Sequence, residues 1–235
     1  MAKGRELRKI LPLIVVLVLA AGAAFIYWTK TQHGTPAAAA SSASSAATGS
    51  AAASSGPAIL TVTPDDEVMG KPDAPVTMIE YASLTCPHCA HFEGDIFPQI
   101  KSAYIDTGKL RFVFRDFPLD ALAARAAVLA HCAGHERFFG FLQVLFANQA
   151  TWEQADKPED ALAGIAKLGG IGKDQFDRCM TDDSLTKRVS QSRLDAEQNL
   201  EIESTPTFFI NGDKIAGAQP FEAFQKVIDP LLPKP

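Results

Sequence analysis

The sequence predicts an α/β body: one sheet interrupted by an inserted helical block, preceded by an N-terminal membrane helix and an Ala/Ser-rich linker. Three observations support this. A strand–helix–strand pattern opens the body between residues 76 and 115. A stretch from 119 to about 200 then reads as helix throughout. A strand, a tight turn, a second strand and a helix close the chain after residue 206. The expected organisation is a signal anchor or signal peptide over 1–33 and a flexible linker over 34–57. The first part of the α/β domain follows over 58–118, the inserted helical domain over 119–200 and the second part of the α/β domain over 201–235.

Lys3, Arg5, Arg8 and Lys9 precede an uncharged run, Ile10 to Trp28, of 19 residues. That is about the length that crosses a bilayer as a helix. Positive charge on its N-terminal side predicts that this end stays in the cytoplasm. Ala21-Gly22-Ala23 could serve as a cleavage site, but the apolar run continues past it, so both an uncleaved anchor and a cleaved signal stay open. Either delivers the body across the membrane. Between Ala37 and Ser55, 17 of 19 residues are Ala or Ser. Such a segment buries too little to offset its ordering entropy and is expected to act as a tether. As a coil, residues 34–57 would reach about 27 Å.

Within the body, Val76–Tyr81 is β-rich and mostly apolar and reads as a buried strand. From Pro87 the pattern turns helical, with Cys89, Phe92, Ile96, Ile100 and Tyr104 on one face. Pro98 should kink this helix, and Gly108 ends it. Leu110–Arg115 is a second strand, expected parallel to the first. Helices are expected over Ala121–Cys132, Glu136–Asn148, Pro158–Leu168, Asp174–Met180 and Asp183–Leu200, with Phe138, Phe139, Phe141 and Phe146 as core. Thr207–Ile210 and Lys214–Ala216 flank Asn211-Gly212, the strongest short hairpin signal. Phe221–Ile228 is a final amphipathic helix.

The chemistry concentrates in Cys86-Pro87-His88-Cys89. A two-residue gap lets the first cysteine sit at a helix N-cap and the second lie one turn in, where the pair can close a small disulfide ring. Pro87 at the first helical position loses nothing by lacking an N–H. The free N–H groups and dipole of the first turn stabilise an anion on Cys86, and His88 can add to this. The exposed, anionic sulfur would be the nucleophile, and Cys89 the resolving partner. A thiol pKa lowered by three would favour the reduced form by roughly 4 kcal/mol. The disulfide would then be a strong oxidant. Thr205-Pro206 stands just before the Thr207–Ile210 strand, where a proline's missing donor is tolerated. An X–Pro bond there is also open to the cis form. Facing the cysteine pair, a cis proline would leave neighbouring backbone groups free to pair with an extended peptide.

Taken together, the Cys86–Cys89 motif, the upstream Val76–Tyr81 strand, "YIDTGKLRFVFRDFPLD" and "STPTFFINGDKIAGAQP" resemble the DsbA-like thiol–disulfide oxidoreductases, a branch of the thioredoxin superfamily. The resemblance covers residues 58–230 and leaves the linker outside. It implies a thioredoxin fold interrupted by a helical domain. It also implies that Cys86 attacks, that Cys89 resolves, and that Thr205-Pro206 forms a cis-proline loop beside them. Glu80, six residues before Cys86, matches the family's buried acid and is a candidate proton acceptor for Cys89. The implied partners are exported proteins with free cysteines and a DsbB-like, quinone-linked membrane reoxidant, on the periplasmic side of the inner membrane. The low thiol pKa and oxidising potential of DsbA itself are the precedent for the argument from thiolate stability.

Cys132 and Cys179 both fall in the helical block. Four cysteines outside the cytoplasm leave three pairings open. Pairing of Cys132 with Cys179 as a structural bridge is the preferred reading, with two separate thiols as its rival. Closing that loop would stabilise the fold by roughly 4 kcal/mol in the chain-entropy model. A zinc half-site at Cys86 and Cys89 is the metal alternative, but no second Cys-x-x-Cys completes four ligands. No metal and no cofactor is therefore expected. His91, His131 and His135 are expected as solvated helix residues. The net charge is −5, and about −9 once the basic leader is removed, which argues against nucleic acid. A disulfide oxidase working as a monomer is the leading functional reading. An isomerase or reductase, and a peptide-binding chaperone, are the alternatives.

Overall fold

A computed structural model describes residues 57–234. The expected membrane segment at Ile10–Trp28 and the Ala/Ser-rich run lie outside them. Among the described residues, no helix is long and apolar enough to cross a membrane.

Five strands form one sheet: β1 (Glu67–Met69), β2 (Val76–Ala82), β3 (Leu110–Asp116), β4 (Thr207–Ile210) and β5 (Asp213–Ala216). Their order is β1-β3-β2-β4-β5. β2 and β3 run parallel, Val76 opposite Leu110 through Ala82 opposite Asp116. The other neighbours are antiparallel. The edge strand β1 escapes sequence reading, because three residues between turns carry no periodicity. The hairpin at Asn211-Gly212 forms as expected, with both residues at positive φ (48° and 103°) as a two-residue turn demands.

The parallel pair needs a crossover. It starts as α1 (Pro87–His91), widens into a π-helical turn over Phe92–Ile96, and continues as α2 (Phe97–Ile100). A second π-helical turn follows over Lys101–Ile105. The break expected at Pro98 therefore takes the form of a widened turn just ahead of it. Pro98 has no N–H to give back to the preceding turn, and the wider winding absorbs the missing bond. The stripe Cys89, Phe92, Ile96, Ile100 and Tyr104 is buried throughout. Gly108, at φ 75°, turns the chain into β3.

Between β3 and β4 lie α3 (Ala121–Cys132), α4 (His135–Ala147), α5 (Gln149–Glu153), α6 (Pro158–Leu168), α7 (Lys173–Met180) and α8 (Asp183–Leu200). Asp120 caps α3 by accepting the Ala123 N–H at 2.8 Å. Asp182 caps α8 through the N–H groups of Ser184 and Leu185. Phe138, Phe141, Phe146 and Trp152 are buried in this block, and Phe139 packs partly buried against them. A disulfide joins Cys132 on α3 to Cys179 on α7, their Cα atoms 5.9 Å apart. The last helix, α9 (Phe221–Ile228), turns Phe224 inward against Phe92 and Phe208.

Both faces of the sheet are covered. Alternation along β2 sends Val76, Met78, Glu80 and Ala82 to one side and Ile79 and Tyr81 to the other. The first side meets the crossover helix and α9 in the larger core. The second holds Val113, Phe117, Phe209 and the α8 residues Ala196 and Leu200, closed by Ile59, Leu60 and Val62. This N-terminal strap is held by Arg115, which donates to the carbonyls of Ile59 (2.5 Å) and Thr61 (3.0 Å) and makes a two-point pair with Asp66.

One histidine reading is overturned. His131 is buried: Nε2 lies 2.7 Å from Asp116 and Nδ1 3.1 Å from Glu67. Glu67 also meets His135 at 2.8 Å. The reason is β1, which carries Glu67 against the start of the helical block and turns a seemingly solvated helix face into an interior one. His91 and His135 remain exposed.

Candidate active site

Cys86 leaves β2 through the turn Ser83-Leu84-Thr85 and becomes the N-cap of α1. Its carbonyl accepts the N–H groups of Cys89 and Ala90, both at 3.1 Å. Pro87 occupies the first helical position. Both sulfurs are free thiols. Cys86 is 5% exposed, less than a solvent-facing nucleophile was expected to be, and Cys89 is fully buried. Pro87 and His88 form the exposed rim.

The two thiols are driven apart electrostatically. A hydrogen bond from Cys89 is the main influence that pulls Cys86 down to about 5, working against burial. The N–H groups of Cys89 and His88 add to it. As a thiol, Cys86 Sγ donates to the Thr205 carbonyl at 3.3 Å. Cys89 is pushed well above its ordinary value, by burial first, then by its bond to Cys86 and by Glu80. One sulfur is thus a stable anion at neutral pH while its neighbour holds its proton.

Glu80 is completely buried beneath the pair, and neither carboxyl oxygen has a hydrogen-bond partner among the described residues. Burial raises its pKa strongly, with Glu93 and Cys86 adding to the effect. Glu93, one turn beyond Cys89, is also buried and raised by desolvation. Burial thus raises both carboxyls, and Glu93 adds to the effect on Glu80. The Thr205–Pro206 peptide is cis, and Thr205 is buried beside Cys86. The ring of His88 makes no hydrogen bond among the described residues. No group of three or more His, Cys, Asp or Glu side chains among them could hold a metal ion.

A family model described as thioredoxin matches residues 62–230. This chain belongs to the thioredoxin family. Its thioredoxin relatives include the disulfide bond formation protein D of Bacillus subtilis, 29% identical over 170 residues, or 70% of this chain and 76% of that protein. A Rickettsia bellii protein, provisionally named a protein-disulfide oxidoreductase, is 34% identical over 63% of this chain. The chain spans 58% of that relative's length. Among solved structures, Wolbachia pipientis α-DsbA1 superposes with a TM-score of 0.69 at 36% identity, covering 74% of this chain and 94% of that one. The likeness places this thioredoxin-family chain in the DsbA-like branch, with the helical insertion between β3 and β4.

The thioredoxin fold gathers Cys86, Cys89, Glu80 and Thr205-Pro206 at one end of β2, with His88 on the rim. Cys132 and Cys179 stand apart in the helical block. Sequence reading missed two residues. Glu93 was hidden because a glutamate four residues after Cys89 looks like any helix-surface acid, although Cys89 and Glu93 at i and i+4 share a face. Gln149 came with no signal at all. It lies 63 residues from Cys86, yet its side-chain nitrogen donates to the carbonyl of Cys86 at 3.0 Å and to that of Leu84 at 2.8 Å.

Proposed function

We propose that the chain is a thiol–disulfide oxidoreductase acting as a disulfide oxidase on exported proteins. The observation that carries this reading is the low pKa of Cys86 beside the raised pKa of Cys89. Stabilising the reduced form raises the potential of the disulfide, so electrons flow toward it.

In the oxidised enzyme a substrate thiolate attacks Cys86 Sγ. The new intermolecular S–S bond forms as the Cys86–Cys89 bond breaks, and the electron pair leaves on Cys89. That sulfur sits in a dry site that disfavours an anion, so it takes a proton, with Glu80 and Glu93 as the nearby carriers. A second substrate thiolate then attacks its own partner sulfur and expels Cys86 as the favoured thiolate. The substrate leaves oxidised by two electrons and the enzyme is reduced by two. Thr205, whose carbonyl meets Cys86 Sγ, and Pro206 border the path by which a peptide would reach the sulfur. A DsbB-like quinone-linked membrane protein would take the electrons on. The basic leader and uncharged Ile10–Trp28 support a periplasmic site of action, anchored at the inner membrane or released from it.

Ultraviolet titration of the reduced protein near 240 nm should show a thiolate forming with a midpoint near 5. An equilibrium against glutathione should show a strongly oxidising couple. A midpoint near the ordinary thiol value of about 8.5, with a reducing couple, would sink the proposal.

A further inference from the structure

The turn that presents Cys86 is gripped from outside its own domain. Thr85 Oγ1 donates to Asp120, the N-cap of α3, at 2.6 Å. Gln149, the first residue of α5, inserts a buried carboxamide between the carbonyls of Leu84 and Cys86. α5 cannot yield easily, because one turn on Trp152 is almost fully buried and donates Nε1–H to the Leu145 carbonyl at 2.8 Å. Three hydrogen bonds from two places in the helical insertion therefore fix residues 84–86. Nothing within the sheet or α1 duplicates the bond from Gln149 to the Leu84 carbonyl.

We propose that Gln149 is a positioning residue. By locking the carbonyls of Leu84 and Cys86 to the helical insertion, it holds the Cys86 sulfur over the open first turn of α1, so that the insertion sets the redox poise of the pair. The inference rests on the oxidoreductase reading above and assigns its tuning to a residue that touches neither sulfur. The N–H groups of His88 and Cys89 stabilise a thiolate only while the sulfur stays aligned with them. That alignment depends on the backbone angles of Cys86, at φ −85° and ψ 118°, which the carboxamide fixes through the Cys86 carbonyl. Its N–H groups are both spent on the Leu84 and Cys86 carbonyls. Without them, the Cys86 carbonyl keeps its two helical donors but the turn can rotate. The Leu84 carbonyl is left unpaired in a dry place, a penalty that favours rearrangement over staying put.

The test compares the full chain with Gln149→Leu, which keeps the bulk and removes the donors, and with Gly169→Ala, which crowds the Phe141 ring in the helical insertion without touching α5 or the turn. In Gln149→Leu the Cys86 thiolate titration should move up by about one pH unit. The glutathione equilibrium should then move about tenfold toward the disulfide, since one pKa unit is a factor of ten. Gly169→Ala should melt earlier than the parent and keep both readouts. If Gln149→Leu also keeps both, or if Gly169→Ala shifts them equally, the inference is overturned and Gln149 is only a packing residue. Failure of the parent reading looks different: the unmodified chain would itself titrate like an ordinary thiol.

Discussion

Glu80 shows how one side chain is set against the stability of the fold it serves. Its carboxyl is fully buried with no hydrogen bond among the described residues, and its pKa is raised well above 4.5. Between pH 4.5 and that raised value the folded chain binds a proton that the unfolded chain has released. Stability then falls as pH rises. Glu80→Gln removes this penalty. The variant should melt above the parent at pH 7, with the gap closing toward pH 4, measured by thermal unfolding at fixed salt. If the gap is constant with pH, the carboxyl does not titrate as its surroundings require. In the proposed oxidase cycle this carboxyl is one of the two proton carriers for Cys89. The placement of Cys86 at a helix N-cap with Cys89 one turn in was legible from the Cys86-Pro87-His88-Cys89 spacing, because a helix start is set by local geometry. Glu93, His131 and Gln149 were not legible, because burial and long-range pairing decide their states.

At the scale of elements, the order of strands and helices follows from period and turn chemistry. The apolar, β-rich run of β2, the Asn211-Gly212 turn and the Asp182 cap are all local signals that tertiary contacts did not override. The elements that were missed are those with little local signal: the three-residue β1, the short α5, and the π-helical widening before Pro98. The join between α6 and α7 shows a further limit of composition. Gly169-Gly170 reads as a helix stop, yet Gly169 has an ordinary φ of −82°. What it lacks is room: a Cβ there would come within 2.1 Å of the Phe141 ring. Phe141 is buried and also lies under the Arg137 guanidinium, which donates to the Gly169 carbonyl at 2.9 Å. Gly169→Ala should therefore destabilise the protein by about 1–3 kcal/mol in denaturant unfolding, as overpacking does. Gly164→Ala on α6, where a Cβ meets nothing within 4 Å, is the control that should not.

Across the whole molecule, β1, β3 and the helical insertion meet at His131. Burial works to lower its pKa, but Asp116 and Glu67 outweigh that and Arg188 only partly opposes them, leaving it at about 9. The folded value lies above the unfolded one of about 6.5. The stabilisation is therefore complete below about 6.5, declines above it and is gone beyond about 9. Its full size is on the order of 3 kcal/mol. The difference in unfolding free energy between the parent and His131→Gln should be large at pH 6 and small at pH 10. A difference that instead grew with pH would mean the ring is neutral in the fold. Glu67 works in the opposite window. Its pKa is lowered by the two histidines despite burial, so its contribution fades in acid. The joint is strongest near neutrality, where both partners are charged.

The strap has a consequence for traffic at the reactive sulfur. Ile59, Leu60 and Val62 close the side of the sheet away from Cys86, and Arg115 fastens them there. The described chain thus begins, after Pro57, on the face of the sheet away from Cys86. A protein thiol reaching the cysteine end would meet Pro87, His88 and the Thr205–Pro206 loop.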